Sequence, residues 1–299
     1  MALEFRAQQS ANRRKTWLLL GLMFIALIAV IWAVGTIFHF GGLWLFPMAV
    51  GFSLIGVWVS YWKSDTLVLT MTGARLIGHD DAPQLYNLVE EVALAAGIPM
   101  PRVAIVDDPA PNAFATGRDP DHAVIAFTSG ILQVMDREQL QGVAAHELAH
   151  VANRDTLVMA VAATTAGLLA IVADMGLRAT LFSRRGSDNN PVAQILALVA
   201  IALAPLAALL LRAAISRKRE SLADATAVQF TRNPTGLRRA LETLAADTTV
   251  VRHTSNAVAH VWIESPLDGK NKSMFDTHPP LSQRINLLRA MEGLPPSPS

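Results

Sequence analysis

The stretch His146-Glu147-Leu148-Ala149-His150 decides how the rest of the chain is read. On an α-helix, residues four apart stand one above the other, so His146 and His150 can aim both imidazoles at a single metal ion. Glu147 is one step round that face, within reach of a water held on such an ion. This is the arrangement that hydrolyses peptide bonds. The surroundings suit a packed helix: Gln139 to Thr165 contains no Pro and only Gly142, and Val143, Ala144, Ala145, Leu148, Ala149 and Ala152 are small or apolar. Two satisfied core histidines on an amphipathic helix are the plainer alternative, and the acids further along the chain weigh against it.

Composition narrows the setting. Of 299 residues, 52% are hydrophobic and only 16% charged, a balance that points to lipid. A net charge of +1 and the lack of a long basic run give no reason to expect a nucleic-acid partner. There is no Cys, so any metal here takes nitrogen and oxygen ligands.

Residues 1–16 read as a basic tail ahead of two uncharged runs, Trp17 to Phe38 and Leu43 to Trp62, each about the twenty residues that a bilayer requires. From Lys63 the chain reads as a soluble α+β unit. It has a helix over Ala82 to Ala96 and short strands at Arg102 to Val106, Ala113 to Thr116 and Ala123 to Phe127. Asn112-Ala113-Phe114-Ala115 is the expected sheet edge along which an extended peptide substrate pairs, since its small residues let another backbone approach. Thr156 to Ala173 and Val192 to Leu211 form a second candidate hairpin, spanning or re-entrant, within residues 156–215. Helical stretches follow at Glu220 to Phe230, Gly236 to Ala246 and Leu281 to Met291, and the Pro-rich end over 295–299 is expected to be disordered. The peptidase unit is therefore split between residues 63–155 and 216–294. Basic residues in the tail and at Arg217-Lys218-Arg219 place both parts on the cytoplasmic face, while Arg184 and Arg185 argue the other way.

A catalytic zinc keeps three protein ligands and one open position. Glu220 is the expected third ligand, because counting from the hairpin puts it and His150 at matching depths, roughly 8 to 9 Å from the lipid boundary at 1.5 Å per residue. Asp224 lies one helical turn on from Glu220, placed to accept a hydrogen bond from the far nitrogen of a ligand imidazole. His278, in a Pro-bounded turn, is a candidate catalytic donor to the oxyanion, and Arg284 a candidate support for it. The remaining histidines have no partner at ligand spacing.

With these motifs in this order, the chain resembles the HtpX family of membrane zinc endopeptidases, with the CAAX prenyl proteases more distant. The likeness rests on the amino-terminal hairpin, Pro111 to Ala115, His146 to Asp155, Arg219 to Asp224, Thr231 to Pro234 and Phe275 to Pro280. Ser221 and Leu222 stand where relatives often carry bulkier residues. The resemblance implies one Zn²⁺ held by His146, His150 and Glu220, with Glu147 as general base. It implies a mainly α membrane protein with four candidate transmembrane helices and a zincin-like domain carrying a small sheet. It also implies quality control of unfolded or misfolded membrane proteins at the cytoplasmic side of a bacterial inner membrane, as part of a stress response. Two other readings are a metal-stapled adaptor or chaperone without activity and a CAAX-type prenyl-protein peptidase. Glu147 speaks against the adaptor, because a structural site needs no carboxylate beside a water position.

Overall fold

In the computed structural model, residues 2–37, 43–162, 217–247, 249 and 280–297 are described. Helices α1 (Ala2–Ile37) and α2 (Leu45–Trp62) pack against each other, and α3 (Ser64–Thr72) leads from them to the sheet. Among the described residues Leu45–Trp62 is the one helix that meets the length and hydropathy expected of a membrane span. The rest of the second expected hairpin lies outside the described residues, beyond a helical stretch over 155–162.

Strands β1 (Arg75–Ile77), β2 (Arg102–Val106), β3 (Ala113–Thr116) and β4 (Val124–Thr128) form one mixed sheet in the order β1-β2-β4-β3. The β2–β4 pair is parallel and the other two are antiparallel. Helix α4 (Pro83–Ala96) lies between β1 and β2 in the chain; Pro83 opens its first turn and Gly97, at φ 65°, closes it. Strand alternation sends Val103, Ala113, Ala115, Ile125 and Phe127 toward the helices, while Ala104, Val106, Phe114, Val124 and Ala126 pack with Val68 and Leu69 of α3. Both faces are therefore covered, which is why these strands read as apolar runs.

Helix α5 (Ser129–Val134) precedes α6 (Arg137–Ala152), the helix of the histidine pair. Asp136 and Gln139 cap α6 reciprocally, each side chain accepting the other's backbone N–H at 2.9 Å, an arrangement that stabilises a helix by about 1 kcal/mol. Helices α7 (Arg217–Thr231) and α8 (Pro234–Ala246) pack on α6, and α9 (Leu281–Met291) packs on α8 and α7. Gly142 permits this closeness, since a Cβ there would stand 2.4 Å from the backbone nitrogen of Leu237. From Gly142 to Ala152 every residue of α6 is buried, His146, Glu147 and His150 included.

Three local readings are corrected. Residues 2–16, read as a tail, continue helix α1, for they contain neither Gly nor Pro, and Asn12 and Thr16 are buried against the domain. The described part of the Pro-rich end folds back: Arg289 Nε donates to the Pro295 carbonyl at 2.6 Å and Ser297 N to Asn286 Oδ1 at 2.8 Å. The motif helix also does not run unbroken toward Thr165. It stops at Ala152, Arg154 takes a left-handed φ of 57°, and helix resumes at residue 155. Counting 1.5 Å per residue from His150 to the lipid boundary assumed no such break, so that depth does not stand.

Candidate metal centre

His146 and His150 occupy the last turns of α6 and turn their Nε2 atoms to within 3.2 Å of each other. Glu220, in the first turn of α7, brings Oε2 to 3.6 Å from His146 Nε2 and Oε1 to 3.7 Å from His150 Nε2. The three groups have ligand atoms within 4.8 Å of one another, and all three are buried. Tetrahedral bonds of about 2.0–2.1 Å separate ligand atoms by about 3.3 Å, so these residues fit one small divalent ion. Glu147 is buried beside them, 2% exposed.

Each imidazole is oriented through its far nitrogen. His146 Nδ1 lies 3.0 Å from Asp224 Oδ1, and His150 Nδ1 lies 3.1 Å from Asp155 Oδ2. The first partner is the one expected from its spacing to Glu220. Sequence reasoning missed the second. Five residues after His150, a carboxylate on a continuous helix would project about 140° away from it. The left-handed Arg154 breaks the helix there, and Asp155 comes to the ring. The signal was present in Asn153-Arg154-Asp155, which ends the apolar pattern with three polar residues.

Arg284, read as a support for His278, lies against Asp224. Its Nε and Nη2 donate to the two carboxylate oxygens at 3.0 and 2.7 Å, and Nη2 is 3.2 Å from His146 Nδ1. Its Nη1 lies 3.9 Å from Glu220 Oε2 and has no hydrogen-bond partner among the described residues. His278 itself is outside the described residues.

The charges respond to this packing. Burial opposes ionisation of Asp224, but Arg284 and His146 overcome it and hold the carboxyl at about 2. Burial and the charge of Arg284 both push His146 down, and they are outweighed by its bonds to Asp224 and Glu220, which raise it to about 9. Burial likewise opposes the charge on Arg284, and Asp224, Glu220 and Glu147 hold it protonated.

Strand β3 is an edge of the sheet, as expected. Thr128 N donates to Asn112 O at 3.0 Å, so antiparallel alternation points Phe114 and Thr116 toward β4 and turns the backbone groups of Ala113 and Ala115 away from it. The strand is nevertheless buried, with Ala115 1% exposed, so a peptide can add there only if that edge is uncovered.

The sequence profile of peptidase family M48 matches residues 79–292, a stretch that includes every residue of this centre. The chain belongs to peptidase family M48. M48 relatives described as protease HtpX homologs extend the likeness to nearly the whole chain. Those of Caldanaerobacter subterraneus subsp. tengcongensis and Thermoanaerobacter pseudethanolicus are 43% and 42% identical over 290 residues, 95% of this chain and 96% of theirs. That of Streptococcus pneumoniae serotype 4 is 41% identical over 295 residues, covering 99% of its length. The protein is thus an M48 metalloendopeptidase of the HtpX family, and the His-His-Glu cluster is where its residues suit a metal.

The M48 centre carries a stability prediction. Arg284 and Asp224 are 2% and 0% exposed, and removing one partner of such a pair strands a buried charge, which costs about 3 to 5 kcal/mol. Arg284→Leu should lower Tm by roughly 6 °C or more at about 2 to 4 °C per kcal/mol. Arg284→Lys should not restore it, because one ammonium cannot make both parallel bonds. Thermal unfolding of the detergent-solubilised variants decides the matter, and wild-type Tm in both would show that the pair contributes nothing.

Proposed function

We propose that this M48 peptidase is a zinc endopeptidase that cuts unfolded or damaged membrane proteins on the cytoplasmic side of a bacterial inner membrane. The observation that carries the reading is the convergence of His146, His150 and Glu220 beside Glu147, in a domain joined directly to the apolar pair α1 and α2. Lipid is supported as their surroundings by Trp17, Leu18, Ile25, Phe52, Ile55 and Trp58, each more than half exposed on these two helices.

His146, His150 and Glu220 would hold the zinc, which when bound supplies a Lewis acid that acidifies water and polarises the scissile carbonyl. Glu147 takes the proton from the attacking water and passes it to the leaving amine. Asp224 and Asp155 keep the two imidazoles in the tautomer that presents Nε2. Arg284 Nη1 is a buried donor beside Glu220, suited to the oxygen that gains charge as the carbonyl is attacked, a task for which His278 is also a candidate. The outward backbone groups of β3 would pair with an extended peptide once that edge is open, so only unfolded segments qualify.

The test of the membrane-protein reading moves a cleavable sequence away from a transmembrane span along a flexible Gly/Ser spacer. Cleavage should fall as the spacer lengthens, because the domain is joined directly to the apolar helices. Equal rates at about five and about forty residues would remove the membrane from the selection rule while leaving the peptidase intact.

A further inference from the structure

One carboxylate ties three helices to the metal centre. Asp155 Oδ2 accepts from His150 at 3.1 Å, while Oδ1 is 3.0 Å from Arg219 Nε and also accepts from the side-chain amide of Asn12. Arg219 immediately precedes Glu220, so Asp155 touches both strings of candidate ligands. Asn12 comes from α1, and its amide also donates to the Asn153 carbonyl at 3.1 Å. Its two bonds therefore straddle Arg154, whose left-handed backbone costs about 1 kcal/mol or more and persists only when neighbours hold it. Asn12, Asn153 and Asp155 are each 1% exposed or less, so water does not replace these bonds. Farther along α1, Leu19, Leu20 and Ala26 pack on Val158, Val161 and Ala162, in the helical stretch that starts with Asp155.

We propose that Asn12 is a positioning residue for the metal centre: the docked first helix holds the 153–155 turn, and through Asp155 it fixes the ring of His150. The proposal rests on reading His146, His150 and Glu220 as the metal ligands. It makes helix docking and metal binding one linked equilibrium, so each strengthens the other by the same factor.

The test uses the full chain in detergent, with Co²⁺ as the probe, its affinity measured against a competing chelator and its ligand field by visible absorption. Loss of a partner behind a ligand weakens metal binding by about 10- to 100-fold, and Asn12→Ala, one bond farther out, should lie near about tenfold with a shifted Co²⁺ band. Ser53→Ala removes a buried hydroxyl of α2 that, among the described residues, bonds Ala49 O at 2.7 Å, and should match the wild type in both readouts. In an Asp155→Asn background, Asn12→Ala should add little, because the path it acts through is already cut. Amide exchange around Asn12 should also slow when Co²⁺ binds to the wild type. Wild-type affinity and spectrum in Asn12→Ala, or fully additive losses in the double variant, overturn the proposal. A wild-type chain that takes up no Co²⁺ is a different result: it overturns the ligand assignment itself, and this proposal with it.

Discussion

Glu147→Gln should lose peptidase activity by about 10³-fold, within the range typical of a general base, while binding metal as tightly as the wild type. The substitution keeps the shape of the side chain and removes only its ability to take a proton. Glu147 follows His146 on the same turn of α6, yet the cluster of atoms within 4.8 Å that could hold an ion consists of His146, His150 and Glu220. Base and ligands are therefore separable, and the two readouts, turnover of an unfolded protein and metal content, should part company in this variant. Full turnover with Gln at this position would end the assignment of Glu147 as the base.

Glu220→Gln should do the opposite and lose metal. An amide has no negative charge to set against a divalent ion, and the affinity should fall by more than the about 10- to 100-fold expected for an outer partner. Equilibrium dialysis against a chelator series measures this directly. Should the variant keep its metal, another residue would have to be the third ligand. Asp224 is a poor substitute, since both of its oxygens already face Arg284 and one also faces His146. His278 would then be the residue to change next.

The histidine pair and the place of Asp224 one turn from Glu220 were legible in the chain, because each depends on helical spacing within one segment; Glu220 itself was reached by a depth count that the break at Arg154 removes. Local rules also gave β2 and β3 to the residue and α4 and β4 to within one. These rules fail where a group's position depends on something distant in sequence. For Arg284 they offered only His278, six residues before it, and did not foresee its contacts with Asp224 and His146, on two other helices. Likewise, the approach of α6 to α8 at Gly142 depends on Leu237.

The sequence by itself determined the chemistry: which side chains could bind an ion, which could move a proton, and which runs suit lipid, since these follow from residue type and from periods of two and 3.6. Tertiary structure alone decided how the second histidine is held. A helix pattern gives no warning that Arg154 turns left-handed, and the residue that bonds the backbone beside it, Asn12, comes from the far end of the chain. That turn brings Asp155 to His150, and it makes a residue of the first helix part of the support for the centre.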